Sequence, residues 1–103
     1  MKSLTITVAA LFAAAGPAWA SPEDAMTKAG CMACHTKDKK LVGPAFKDIA
    51  AKYKGQAGAE ATLIQKVRAG GKGVFGPIPM SPNGPDKIAD ADLGEAVAWI
   101  LQQ

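Results

Sequence analysis

Apolar residues recur every three or four positions in four segments of the chain, which is the spacing of amphipathic helices. The first helix is predicted to begin at Ser21, whose hydroxyl can cap it, and to run toward Gly30. Pro22 at the first helical position, followed by two acidic residues, supports that start. The second helix is predicted to start at Pro44 and to end at Gly55.

Two further helices are predicted in the C-terminal half of the chain. One runs from about Gly58 to Ala69, and the last begins near Asp90 or Asp92 and carries an apolar stripe with Trp99 beside it. No segment shows the sustained two-residue alternation of a strand. The pattern therefore predicts an all-α domain without internal repeats.

A segment rich in glycine and proline, GGKGVFGPIPMSPNGPDK, separates the third and fourth predicted helices. These residues exclude regular structure, and loops of such length are uncommon in compact domains unless they have a function. Val74, Phe75, Ile78 and Met80 are apolar, which favours an ordered loop, and proline limits the conformations that must be lost on folding. We predict a rigid loop that holds something in place, with Met80 at its middle.

The first 20 residues have the pattern of a cleaved secretory signal peptide. Lys2 precedes an apolar run over residues 4–15, and Ala18-Trp19-Ala20 matches a small-residue cleavage site. The run is shorter than the ~20 residues that a spanning helix needs, so no stable membrane insertion is expected after cleavage. We predict cleavage after Ala20, a periplasmic location and one domain over residues 21–103.

The size and charge of that domain limit its function. A domain of 83 residues usually needs a disulfide, a metal or a cofactor to complete its core. Of the 12 lysine and arginine residues, 11 remain after removal of Lys2, against 9 acidic residues, which gives a net charge of +2. This charge is too small, and too evenly spread, to indicate a nucleic-acid partner.

The only two cysteines and the only histidine lie within five residues, in Cys31-Met32-Ala33-Cys34-His35. This is the Cys-x-x-Cys-His sequence of covalent c-type haem attachment. Two thiols three positions apart on a helical turn can form thioethers with two vinyl groups, and the next residue can present its imidazole to the iron. We predict one covalent haem c on Cys31 and Cys34, with His35 as an axial iron ligand.

Other uses of the motif fit less well. A structural zinc site needs four ligands, and no further cysteine or histidine remains. A thioredoxin-like dithiol expects a neighbouring βαβ pattern, although an oxidising compartment would favour a Cys31–Cys34 disulfide if no haem were attached.

A single histidine excludes ligation by two histidines, so the sixth ligand is methionine, lysine, an exogenous molecule or absent. Met26 and Met32 lie too close to the attachment turn to cross easily to the other haem face. Met80 is distant in sequence and offers a thioether, which with histidine is the axial pair of electron-carrying cytochromes c. We predict Met80 as the sixth ligand, the alternative being a methionine that only fills the core.

Five segments, GCMACH, LVGPAFKDIAAKY, GQAGAEA, GVFGPIPMSPN and AVAWIL, together resemble the short bacterial class I cytochromes c of the c-551 and c-552 type. The resemblance covers essentially all of residues 21–103, in order. It implies about four helices around one haem c and a periplasmic one-electron carrier, not an enzyme. The implied partners are redox proteins such as a nitrite reductase, a terminal oxidase, a peroxidase or a quinol-oxidising complex, docking transiently on a monomer.

The resemblance also implies roles around the haem. Pro44 would accept a hydrogen bond from the free N–H of His35, and the side-chain amide of Asn83 would approach the sulfur of Met80. Residues expected to pack around the ring or between helices are Val42, Phe46, Tyr53, Leu63, Ile64, Val67 and Trp99.

Two positions depart from the family pattern at the haem propionates. Phe75 stands where relatives usually carry tryptophan, and it lacks an indole N–H. Lys66 stands where arginine is common, and it supplies only a point charge. We therefore expect weaker or more hydrated anchoring of a propionate.

Full coordination by His35 and Met80 would leave iron no vacant site, so the expected chemistry is outer-sphere transfer of one electron. Lys37, Lys39 and Lys40 follow the attachment turn and are candidates for steering toward an acidic partner. If Met80 dissociates easily, the protein is instead a haem peroxidase or a gas-binding haem protein. If no haem is attached, a periplasmic dithiol module remains.

Overall fold

The structure is a computed structural model that describes residues 21–103. This range folds into four helices, α1 (Pro22–Ala29), α2 (Phe46–Tyr53), α3 (Ala59–Ala69) and α4 (Asp90–Leu101), with a 3₁₀ turn at Cys31–Ala33. The predicted all-α class is confirmed. None of the helices in this range is long and apolar enough to cross a membrane. The predicted signal peptide lies outside the described residues.

Helix α1 begins and ends as its sequence predicts. The Ser21 hydroxyl accepts a hydrogen bond from the backbone N–H of Asp24 at 3.2 Å, which caps the first turn. Gly30 takes the left-handed conformation (φ 89°), and its N–H bonds back to the carbonyl of Thr27. This left-handed residue ends the helix and turns the chain directly into the 3₁₀ turn that carries the cysteines.

Helix α2 begins two residues later than predicted. Ala45 has an extended conformation (ψ 147°) and precedes the first helical residue, Phe46. Pro44 lies before the helix because its carbonyl accepts a hydrogen bond from His35, nine residues earlier in the chain. The predicted start at Pro44 is therefore wrong, whereas the ends of α3 and the start of α4 at Asp90 agree with the sequence pattern.

The core forms around α4, which packs against α1, α2 and α3. Its apolar stripe is buried, and Phe46 of α2 meets Trp99 edge to face, with ring centroids 5.6 Å apart. The largest contributors to the core are Met26, Phe46, Tyr53, Leu63, Ile88, Leu93, Val97 and Ile100.

The glycine- and proline-rich segment between α3 and α4 is an ordered loop. Gly71 and Met80 exchange two backbone hydrogen bonds, of 3.0 and 2.8 Å, which close the loop on itself. The N–H of Asn83 then donates to the carbonyl of Val67 in α3 at 3.1 Å. These bonds hold Met80 beside the end of α3 without any regular structure in the loop.

Candidate haem site

One large cavity, of about 600 Å³, lies between the helices and the loop. Its volume is in the range of ligand pockets, and most of its lining is apolar. Cys31, Cys34, His35 and Met80 all line it, although they come from two segments separated by more than 40 residues. The fold therefore brings every predicted attachment and iron-ligating residue to one cavity.

The attachment turn presents two thiols that are not joined in a disulfide. Cys31 is half-buried and Cys34 exposed. Burial raises the pKa of the Cys31 thiol above its ordinary value, and a backbone hydrogen bond opposes this shift without cancelling it. Redox-active dithiols depend on a thiol of lowered pKa, so the surroundings of Cys31 do not favour the dithiol alternative.

His35 is buried, and one of its ring nitrogens is already occupied. Nδ1 donates a hydrogen bond to the carbonyl oxygen of Pro44 at 2.8 Å. The ring also stacks on Phe46, with centroids 5.4 Å apart and planes inclined by 20°. The hydrogen bond fixes the tautomer and leaves Nε2 as the nitrogen that can bind iron.

The chain between His35 and α2 folds back so that Pro44 reaches the imidazole. Gly43 donates from its N–H to the carbonyl of Cys34 at 2.8 Å, and Phe46 donates to the carbonyl of Thr36 at 2.9 Å. A β-carbon on Gly43 would lie 2.5 Å from Cε1 of His35, so only glycine permits this approach. Sequence reasoning missed Gly43, although its place before Pro44 was the available signal.

Met80 is partly buried at the point where the loop closes. Gly70 makes the closure possible, because a β-carbon there would collide with the carbonyl of Met80 and the backbone of Pro82. Gly70 has φ 68° and ψ −158°, a conformation that L-residues with side chains rarely adopt. The end of α3 and the position of Met80 are thus fixed together.

Asn83 lines the cavity, and its side-chain amide is engaged with the loop backbone. Nδ2 donates to the carbonyl of Ser81 at 2.9 Å and to that of Val67 at 3.3 Å. The structure places this amide on two carbonyl oxygens, and its predicted approach to the sulfur of Met80 stays a prediction.

The other residues predicted around the haem divide into two groups. Lys66 of α3 and Phe75 of the loop line the cavity, and the Lys52 ammonium lies 5.8 Å from the centroid of the Phe75 ring. Trp99 lies outside the lining and reaches the site only through its edge contact with Phe46. Among the remaining residues expected there, Ile64 is packed against the core outside the lining. Those that do line the cavity are Val42, Phe46, Tyr53, Leu63 and Val67.

Arg68 is a residue of this region that sequence reasoning did not single out. Its Nη1 donates to the carbonyls of Ile88 at 2.8 Å and Asn83 at 3.1 Å, and its Nη2 pairs with Oδ1 of Asp90 at 2.5 Å. A basic residue in the last turn of a helix gives no sign of such contacts, because its partners lie 15 to 22 residues away.

The donor set and the cavity fit a covalently held haem. Two unpaired thiols on one turn, an imidazole with a single free nitrogen and a thioether line a largely apolar cavity. The fold and the site thus define a small helical domain built around one haem. Sequence comparison then identifies the family: the Cytochrome c family model matches residues 22–103, and the chain belongs to the cytochrome c family.

Individual relatives narrow the family further. The chain is 51% identical over 87 residues to cytochrome c-551 of Pseudomonas aeruginosa. The aligned region covers 84% of this chain and 81% of that protein. It is 49% identical over 83 residues to cytochrome c2 of Rubrivivax gelatinosus, covering 81% and 98% respectively. Wild-type cytochrome c552 of Nitrosomonas europaea superposes with a TM-score of 0.73 at 45% identity, covering 78% of this chain and 96% of that one.

These comparisons confirm the resemblance drawn from the sequence motifs, the class I cytochrome c fold and the haem c cofactor. The chain is a monohaem electron-carrier cytochrome of the c-551/c-552 type, with Cys31 and Cys34 as the thiols available for attachment.

Proposed function

We propose that the protein is a periplasmic one-electron carrier whose haem iron is ligated by His35 and Met80, and that it is not an enzyme. The observation that carries the proposal is the shared cavity, in which an imidazole already oriented through Nδ1 and a thioether fixed by a closed loop both reach the lining. When bound, the haem supplies exchange of one electron between Fe(III) and Fe(II).

The protein's own contribution is to fix both ligands. The Pro44 carbonyl holds the His35 ring and would strengthen its donation to a bound iron. The paired backbone bonds between Gly71 and Met80 hold the thioether from the other segment. A ligand set held by backbone contacts moves little when the iron changes charge, which favours fast electron transfer over substrate binding.

Two cavity-lining methionines allow a sharp test of the ligand. Met80 and Met26 both line the cavity, but Met26 is almost fully buried in the α1 side of the core. Met80→Leu removes the thioether at nearly constant volume, and Met26→Leu is the matched control. We expect the weak far-red sulfur-to-iron band of the oxidised protein to vanish in Met80→Leu and to persist in Met26→Leu.

The opposite outcomes are equally informative. A band that vanishes only in Met26→Leu would contradict the proposal, because it would identify Met26 as the sixth ligand. Haem bands without any far-red band in the unmodified protein, together with rapid binding of cyanide or carbon monoxide, would favour a haem peroxidase or a gas-binding protein. Absence of haem, with two free thiols per chain, would leave only the dithiol module.

The periplasmic assignment rests on the export pattern of residues 1–20, with the cytochrome domain over 21–103. Cleavage after Ala20 would leave intact the Ser21 hydroxyl that caps α1. The test is N-terminal sequencing of protein released from the periplasm, and a mature chain that begins at Ser21 is the expected result. A chain beginning at Met1 in the membrane fraction would contradict it.

Redox partners would meet the protein near the attachment turn. Lys37, Lys39 and Lys40 are exposed there, and Thr36 organises the turn by accepting from the N–H of Lys39 at 3.0 Å. Such a cluster favours docking to an acidic patch on a reductase, an oxidase or a quinol-oxidising complex. We expect this encounter to be transient and this protein to take part in it as a monomer. The rate of electron exchange with an acidic partner should therefore fall as salt is added.

A further inference from the structure

Arg68 is a mostly buried cation that does not line the cavity. Its side chain is 20% exposed, while its carboxylate partner Asp90 is 91% exposed. An ion pair with so exposed a partner contributes little by itself. The two carbonyl oxygens that accept from Nη1 are therefore the more informative contacts.

Those carbonyls lie at both ends of the segment that follows Met80. Asn83 is three residues beyond Met80, and Ile88 is a buried residue that lines the cavity just before α4. Asn83 also donates its own N–H to Val67, the neighbour of Arg68 in α3. Two successive residues at the end of α3, Val67 and Arg68, thus hold this segment by hydrogen bonds.

We propose that Arg68 is a positioning residue for Met80. By holding the loop, Arg68 controls how readily the Met80 thioether leaves the iron. The inference rests on the proposed His35 and Met80 ligation. Departure of Met80 requires its loop to move, and the part of the loop after Met80 cannot move far while Arg68 holds the carbonyls of Asn83 and Ile88. Loss of these bonds frees that segment and exposes the sixth position to outside ligands.

Arginine suits this role better than lysine. Its guanidinium presents several N–H donors in one plane, so one side chain can serve two carbonyls and a carboxylate at once. An ammonium on a shorter reach would satisfy at most part of this set. The backbone hydrogen bonds of the loop, between Gly71 and Met80 and from Asn83 to Val67, do not depend on the side chain at position 68.

The test compares four variants of the haem-loaded protein by the rate at which imidazole binds to the oxidised form. Arg68→Met removes every donor and keeps an apolar stem, and Arg68→Lys is the conservative variant. Asp90→Asn weakens the ion pair but leaves both carbonyl bonds. Ser21→Ala lowers global stability at the far end of α1 and serves as the control for a merely structural effect.

We expect imidazole to bind Arg68→Met at least about tenfold faster, because the loss of even one of its two charge-assisted bonds to carbonyls corresponds to about that ratio. Arg68→Lys should fall between this variant and the unmodified protein, while Asp90→Asn and Ser21→Ala should bind at the unmodified rate. If Arg68→Met does not fold with haem, the ordering of the other three still decides the question.

Unchanged imidazole binding in Arg68→Lys and Arg68→Met would overturn the inference, as would equal acceleration in Ser21→Ala. The proposed ligation fails in a different way, through a missing far-red band in the unmodified protein. A normal band with an unresponsive binding rate therefore refutes the role of Arg68 alone.

Discussion

Gly43→Ala tests whether the close approach of the backbone to His35 sets the properties of the haem. A β-carbon at this position would lie 2.5 Å from Cε1, 2.9 Å from Nδ1 and 3.1 Å from Nε2 of the imidazole, whereas ordinary contacts are 3.4–4 Å. The ring must therefore retreat by about 1 Å to restore ordinary contact. It cannot retreat freely, because Phe46 is stacked on it.

The size of the effect follows from the bond that such a retreat breaks. The hydrogen bond from Nδ1 to Pro44 is 2.8 Å long, and lengthening by this amount takes it beyond hydrogen-bonding distance. Losing this bond and overpacking the site together cost about 2–4 kcal/mol. For a domain of this size, the melting temperature should fall by roughly 10–25 °C. A less strongly donating imidazole also stabilises Fe(II), so the reduction potential should rise.

The measurement is thermal unfolding of the oxidised protein together with a redox titration. Gly94→Ala is the matched control, since Gly94 lies within α4 and a β-carbon there meets no atom within 4 Å. It should raise stability by about 0.5–1 kcal/mol and leave the potential unchanged. If Gly43→Ala unfolds and titrates like the unmodified protein, the reasoning about this contact is wrong.

Three further changes test other parts of the structure. Gly70→Ala forces a β-carbon against the carbonyl of Met80, so the far-red band should weaken and unfolding should become easier by at least ~1 kcal/mol; an intact band would contradict the role of Gly70. Phe75→Trp restores an indole N–H beside the cavity and should shift the reduction potential or its pH dependence, and an identical titration curve would count against it. Ser21→Ala removes the α1 cap, which should cost about 1 kcal/mol in unfolding without altering the spectrum.

Local signals in the sequence predicted the fold best. The ends of α1 depend on Ser21 and Gly30, residues whose capping chemistry operates within one turn of the helix. The start of α2 was wrong because Pro44 is held by a contact with His35, and helical spacing carries no record of that partner. The start of α2 is therefore set by a tertiary contact, which the local sequence pattern does not record.

The candidate site divides in the same way. The spacing of Cys31, Cys34 and His35 on one turn was sufficient to predict attachment, since their chemistry depends on adjacent positions. Gly43 and Arg68 act through partners brought near by folding, and single glycine or arginine residues are too common to indicate such contacts. The resemblance implied that Trp99 packs around the haem or between helices, and its ring lies behind Phe46, between α2 and α4.

The two halves of the loop that carries Met80 are held to different degrees. Beyond Met80, Asn83 bonds to Val67 and Arg68 bonds to two loop carbonyls. Across residues 72–79, the described structure has one backbone bond within the segment, from Gly73 to Gly76 at 2.8 Å.

Local opening costs least where backbone bonds and buried contacts are few. Met80 itself is held by its paired backbone bonds to Gly71, and the segment after it is held by Val67 and Arg68. Phe75 lies in the loosely held half, with Lys52 beside its exposed ring. Because Arg68 bonds to the segment after Met80 while Phe75 meets Lys52 in the segment before it, we expect the hold on Met80 and the surroundings of Phe75 to respond to different substitutions.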